Sequence, residues 1–207
     1  MRRTSQGACI SATISGLHWP AAHRSVATLH PLPPSLTCVV VNTSPSLAPP
    51  ALPAFTERDF RNALGQFATG VTVVTTVDAQ GNPVGMTASS FNSVSLDPAL
   101  VLWSLACTAG TYSAFAQASH YAIHVLAHHH KDLAMQFARR GIDRFAGVAW
   151  QPNAHGVPLL DGALATFECQ ARSQYREGDH LIMVGHVQAC QHSADVAPLI
   201  YHAGQMR

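Results

Sequence analysis

Charge is scarce in this chain. Lys, Arg, Asp and Glu make up 11% of its 207 residues, and 12 basic against 11 acidic groups leave it almost neutral. It therefore offers no basic footprint for nucleic acid and no acidic tail. Long apolar runs are missing as well: nothing approaches the ~20 residues that a membrane-spanning helix needs. The five cysteines, Cys9, Cys38, Cys107, Cys169 and Cys190, have neither CxxC spacing nor the even number of a disulfide framework. Reduced thiols of a cytoplasmic protein are expected. No GxGxxG follows a first strand and no GxxxxGKS/T is present, which removes the Rossmann and P-loop nucleotide sites. No segment repeats.

Acidic residues are absent altogether from Met1 to Ala54, where Pro, Ser, Ala and Thr dominate. Pro31, Pro33, Pro34, Pro45, Pro49, Pro50 and Pro53 interrupt any periodic pattern. Residues 1–54 are therefore expected to be a disordered N-terminal extension. Arg2, Arg3 and Arg24 among many hydroxyls also suit a transit-like segment, and translated sequence upstream of a later start is a further alternative. Residues 55–207 are expected to carry one folded domain.

Thr56 suits the cap of a helix over Glu57–Ala68, with Glu57 and Asp59 near the positive end of its dipole. Phe60, Leu64 and Phe67 fall on one stripe, and Gly70 ends the helix. The β-branched run Val71–Val77, the turn Asp78–Pro83 and Val84–Ser89 read as a hairpin. Ser95–Pro98 is a turn into a second apolar strand, Ala99–Leu105. A short helix near Thr111–Ser119, capped by Thr111, precedes the strand His120–Ala127 and a helix over His128–Arg140. Trp150 opens an irregular stretch. Strands Ala163–Ser173 and His180–Cys190 flank a tight turn at Arg176–Asp179. About six strands and three helices, joined mainly by hairpins, predict an antiparallel β-barrel with added helices.

Within this frame Thr87, Ala88, Ser89 and Ser90 stand out. Three hydroxyls among small side chains, at the end of a strand, suit a phosphate or a polar ring edge. Alone, such a segment is ordinarily only a loop. His128, His129 and His130 do not make a metal site, because consecutive helical residues point about 100° apart. No metal is expected.

Several motifs taken together are more specific. Phe60–Gly65 with Phe67–Thr75, Met86–Phe91 with Ser93–Pro98, and Phe137-Ala138 with Arg144-Phe145 come first. Pro158–Ala163, Gly178-Asp179-His180, Val184–Val187 and Pro198–Tyr201 follow. In this order and spacing the chain, from about Phe55 onward, resembles the flavin reductase-like family. That resemblance implies an antiparallel Greek-key split β-barrel, the FMN-binding split barrel, in a homodimer with flavin near the subunit interface. It implies NADH or NADPH as hydride donor to FMN or FAD, and release of reduced flavin to a partner flavin-dependent monooxygenase. Neither nucleic acid nor membrane enters.

Hydride transfer to flavin N5 needs no nucleophile and no strong acid from the protein, only two rings held in contact. The resemblance implies Met86, Thr87, Ala88, Ser89 and Ser90 along the flavin, with Cys107, Thr108 and Thr111 near its phosphate, Thr111 aided by a helix N-terminus. His124 is expected at a flavin edge, Phe145 at the cofactor, and His180 at the mouth as the catalytic residue against nicotinamide. For His180 the plain alternative is a turn histidine bonded to Asp179. Relatives often carry a Lys where Cys107 stands, a basic residue where Gly110 stands, and Asn in place of His124. The two missing cations point to loosely held, exchangeable flavin. Tight flavin binding for electron transfer, or direct reduction of another small molecule on bound flavin, is the alternative function.

Overall fold

The computed structural model describes residues 54–193 and 196–207. Apart from Ala54, the expected N-terminal extension lies outside the described residues.

The first helix, α1, spans Glu57–Leu64 and opens on a complete capping box: Thr56 Oγ1 accepts from the Asp59 N–H at 3.1 Å, and the Asp59 carboxylate accepts from the Thr56 N–H at 3.0 Å. Phe55, just before the cap, packs on Phe60 with ring centroids 5.7 Å apart, a hydrophobic staple. The expected extension to Ala68 does not occur. Gly65 caps the helix, and its carbonyl accepts from the Ala203 N–H at 2.7 Å, which fixes the exit. The expected inner stripe also faces outward: Phe60, Leu64 and Phe67 are 52%, 58% and 73% exposed.

Among the described residues twelve strands follow. β1 (Thr69–Gly70) pairs with β11 (Ile200–His202), which pairs in turn with β12 (Gln205–Met206). The main sheet has seven strands: β2 (Thr72–Val77), β3 (Pro83–Ala88), β4 (Asn92–Leu96), β5 (Ala99–Ala106), β6 (His120–Val125), β9 (Ala165–Glu177) and β10 (His180–His192). Its order is β3-β2-β6-β9-β10-β5-β4, every pair antiparallel. The six expected strands are all in it. β4 was expected to be loop and turn. β7 (Trp150–Pro152) and β8 (Pro158–Leu160) form a small hairpin in the stretch expected to be irregular.

The two edge strands of the large sheet, β3 and β4, are consecutive in the chain. Only Ser89, Ser90 and Phe91 join them. A flat sheet of this size would hold its edges ~29 Å apart at ~4.8 Å per strand, whereas the connection spans at most ~14 Å. The sheet therefore curls until its edges approach at this end, although no β3–β4 pairing occurs among the described residues. Inside the curl, alternate residues of β5 (Val101, Trp103, Leu105) and β10 (Leu181, Met183) point inward with Tyr121 and Ile123. Phe115 of α2 (Tyr112–Gln117) plugs this core, its ring 5.1 Å from that of Trp103.

β2 is buried on both faces because a second core lies behind it. Val71, Val73, Leu126, Leu160 and Leu199 pack there against Ala134 and Phe137 of α3 (Lys131–Ala138). The expected helix over His128–Arg140 is thus shorter, with His128–His130 forming a 3-10 turn. Gly85 makes the docking of α3 feasible: a Cβ there would lie 2.5 Å from the Phe137 ring. Where β2 places threonines inside, their hydroxyls donate to backbone carbonyls, Thr72 to Ala88 and Thr75 to Pro158.

Candidate functional site

The residues singled out by sequence divide among two cavities and the interior. The first cavity, about 890 Å³, opens between α1 and the end of the main sheet, and Ser89, Ser90 and His180 line it together with Leu64, Phe67 and Tyr201. The second, about 520 Å³, lies where the β5–α2 connection meets the loop after α3. Thr108 and Thr111 border it on one side, Arg140, Arg144 and Phe145 on the other. A third, about 510 Å³, is walled by the stacked rings of His120 and His155 and holds none of the expected residues.

His180 begins β10 directly after the two-residue loop Gly178-Asp179. Gly178 has φ 58°, the sign that tight hairpin turns require. The carboxylate of Asp179 accepts from His180 Nδ1 at 2.7 Å. Hydrogen bonding and the charge of that imidazole hold the Asp179 carboxyl below the usual carboxylate range. The local bond of a plain turn histidine is therefore present; it engages Nδ1 and leaves Nε2 for a ligand. Cys107 meets this turn through its backbone, its N–H donating to the Asp179 carbonyl at 2.9 Å.

The hydroxyl cluster is more structural than expected. Thr87 Oγ1 donates to the Ala134 carbonyl at 2.6 Å, tying β3 to α3. Ser90 Oγ accepts from the Ser104 N–H at 2.9 Å and donates to the Ser104 carbonyl at 3.3 Å. It stands in for a strand partner, since β4 pairs with β5 only as far as Leu102. Ser89 is exposed and its hydroxyl has no partner among the described residues. Met86, Thr87, Ala88 and Cys107 line neither cavity. Nor does Thr111 cap α2: its Oγ1 donates to Met86 Sδ at 3.4 Å, and α2 has only six residues.

His124 corrects the sequence reading most clearly. It is fully buried, with Nδ1 donating to the Val73 carbonyl at 3.1 Å and Nε2 accepting from the Leu160 N–H at 3.1 Å. Both nitrogens are thus engaged by backbone, and no edge remains for a flavin. Burial lowers its pKa to about 4, the Val73 bond opposing only in part.

Sequence reasoning missed Arg140, and it quoted Arg144 within a motif without giving it a role. The Arg144 guanidinium donates to the carbonyls of Arg139 and Gly85, both at 2.7 Å, pinning the loop after α3 to β3. Burial, then the nearby Arg140 charge, lowers its pKa. Both arginines face the threonines of the β5–α2 connection, where the sequence had seemed short of cations. For Arg140 the local signal was the Arg139-Arg140 pair. Among the described residues no group of three or more His, Cys, Asp and Glu side chains converges, and no helix is long and apolar enough to cross a membrane.

The model of the flavin reductase like domain matches residues 64–207. The chain belongs to the flavin reductase-like family. Similar proteins include the reductase component of the flavin-dependent trigonelline monooxygenase of Acinetobacter baylyi, 48% identical over 147 residues, which cover 71% of this chain and 47% of that protein. Thus the chain spans about half the length of that relative. The FMN reductase (NADH) SmoA of Agrobacterium fabrum is also 48% identical over 147 residues, covering 71% of this chain and 83% of the relative. The solved NADH:FAD oxidoreductase SgcE6 of Streptomyces globisporus, in complex with NAD and FAD fragments, superposes with a TM-score of 0.69 at 35% identity. That match covers 72% of this chain and 90% of the other. Family membership agrees with a mainly antiparallel β fold carrying few helices.

Proposed function

We propose that this protein is an NAD(P)H:flavin oxidoreductase that reduces FMN or FAD and supplies reduced flavin to a partner monooxygenase. The observation that carries the reading is the meeting of Ser89, Ser90 and His180 on one cavity of about 890 Å³, a volume suited to a small cofactor. The residues fit such a group: Ser89 offers a hydroxyl unpartnered among the described residues, Phe67 and Tyr201 offer aromatic walls, and two arginines wait for an anion.

When bound, flavin supplies the ring system that accepts hydride from NAD(P)H. The protein's part is orientation and exclusion of water. Asp179 fixes the His180 ring through Nδ1, which leaves Nε2 free to bond a ligand in the cavity that His180 lines. Gly178 holds this turn tight against the Cys107 backbone, which keeps His180 beside the β5–α2 connection. Ser90, by clamping Ser104, fixes the neighbouring Ser89 at the rim.

The architecture is that of a split barrel, which the short connection across the two sheet edges supports. The active form is a homodimer. Support comes from Phe55, Phe60, Leu64 and Phe67, an apolar face on and around α1 that one copy leaves exposed beside the cavity. Arg140 and Arg144 favour firmer flavin retention than the sequence suggested, which keeps the bound-flavin reading as the alternative.

The purified protein's visible spectrum, then NADH oxidation followed with and without added FMN or FAD, tests the proposal. Oxidation that requires and saturates with free flavin is expected, and His180→Ala is expected to slow it about tenfold or more. A yellow protein that keeps its flavin through dialysis and oxidises NADH slowly under every condition sinks the diffusible-flavin reading.

A further inference from the structure

The cavity that holds His180 has two unlike walls. Ser89, Ser90 and His180 stand on or beside the strands of the main sheet. The other wall is made by Arg61, Asn62, Leu64 and Phe67 of α1 and the turn after it, a stretch in which no residue is buried. Packing therefore does not place that wall. Among the described residues a single hydrogen bond ties residues 55–67 to a distant part of the chain: the Ala203 N–H donates to the Gly65 carbonyl at 2.7 Å.

The donor stands on a firm base. Ala203 and Gly204 form the two-residue turn between β11 and β12, directly above the His202–Gln205 pair. Further down, Ile200 and Arg207 exchange both of their backbone hydrogen bonds. Leu199 is fully buried in the second core, its N–H donating to the Leu126 carbonyl at 2.8 Å. Tyr201 of the same hairpin lines the cavity. A hairpin rooted in the core thus reaches out to α1 and holds it by one bond.

That bond depends on an unusual backbone. The turn has φ 50° at Ala203 and 80° at Gly204, both positive, as a two-residue hairpin turn matched to strand twist requires. Among the described residues Ala203 is the one non-glycine residue with positive φ. Asn, Asp or Gly ordinarily fills that place, because a plain Cβ is strained there. Such strain persists where the surroundings over-determine the backbone, and here they include the Gly65 carbonyl. A turn of the opposite hand would carry the N–H away from Gly65.

We propose, granting the flavin reading above, that Ala203 is a positioning residue for hydride transfer: its left-handed backbone sets α1 at its working distance from His180. Because the transfer depends on how two rings are oriented, a slack wall costs rate while the fold stands.

Two substitutions in the full chain separate backbone from bulk. Asn is the longer side chain and tolerates positive φ; Val is shorter and resists it. Ala203→Val is expected to lower kcat for FMN-dependent NADH oxidation about tenfold, with the urea midpoint little changed. Hydrogen exchange should quicken at position 203 and across α1, and nowhere else. Ala203→Asn should keep both the rate and the protection. A loss that follows side-chain length, greater in Ala203→Asn, overturns the inference in favour of crowding in the cavity. Unaltered rate and exchange in Ala203→Val overturn it too, as does a rate loss matched by a general loss of stability. If exchange responds as expected but the unaltered protein oxidises no NADH with FMN or FAD, the functional reading is what fails, and the positioning role falls with it.

Discussion

α1 and α3 are the same length, eight residues each, yet they are held in opposite ways. α3 is fixed by distant parts of the chain. Phe137 rests on Gly85, the Ala134 carbonyl accepts from Thr87, and the Phe137 ring stands 5.0 Å from that of Phe145. α1 buries none of its residues, and apart from the Ala203–Gly65 bond at its exit what organises it is local: the Thr56–Asp59 box and the Phe55–Phe60 staple, with an exposed Glu57–Arg61 ion pair that adds little. An isolated helix of two turns is marginal in water, so α1 depends on its caps and on whatever covers its apolar face. One helix frames a cavity as finished architecture; the other frames its cavity as a face still to be matched.

Truncation on each side breaks the comparison most sharply. Phe137→Ala should cost about 3–5 kcal/mol in a urea unfolding titration, the range for a fully buried aromatic. Phe60→Ala should change the unfolding free energy of a dilute single copy by under about 0.5 kcal/mol, while lowering the mass seen by light scattering at higher concentration. Equal losses of folding stability in the two variants would end the distinction.

Acid should attack the two sides in sequence. His124, whose Nε2 accepts from the Leu160 N–H, supports the core beneath α3. Its imidazole titrates near 6.5 when unfolded and at about 4 when folded. Between those values the unfolded chain holds the extra proton. Stability is therefore intact above the unfolded value and falls as pH drops through the window, by about 3 kcal/mol at full extent. His124→Asn should flatten that slope in unfolding measurements made from pH 7 to pH 4. On the α1 side, hydrogen bonds from Thr56 keep Asp59 below its ordinary carboxylate value, so the capping box survives to lower pH. The smallest effect belongs to the cap itself: Thr56→Ala should cost about 1 kcal/mol of helix stability, read as faster hydrogen exchange confined to α1.

What the sequence made legible follows the range of the interactions. β2, β5 and β10 announced themselves through β-branched and apolar residues, whose preference for strands is local. β4 did not, because Asn92–Leu96 is a polar edge strand with a register shift, and its pairing is decided by β5. The end of α1 was misjudged because Phe67 continues the helical spacing, while Gly65 stops the helix through a bond from Ala203, far along the chain. His180 was found through its turn motif, and its bond to Asp179 is a nearest-neighbour contact. His124 was misread because only the packing of β2, β6 and β8 seals it, and Arg140 was overlooked because Thr108–Thr111 meets it only in three dimensions.

The three residues between β3 and β4 act as a drawstring on the curled sheet. They fix how closely its two edges approach at the end where Ser89, Ser90 and His180 line a cavity. The girth of that opening is therefore governed by a count of residues rather than by any one side chain. An insertion there changes the mouth without touching a strand pairing, so length variation at this seam is the cheapest way for a chain of this architecture to come to accept a bulkier or a slimmer guest.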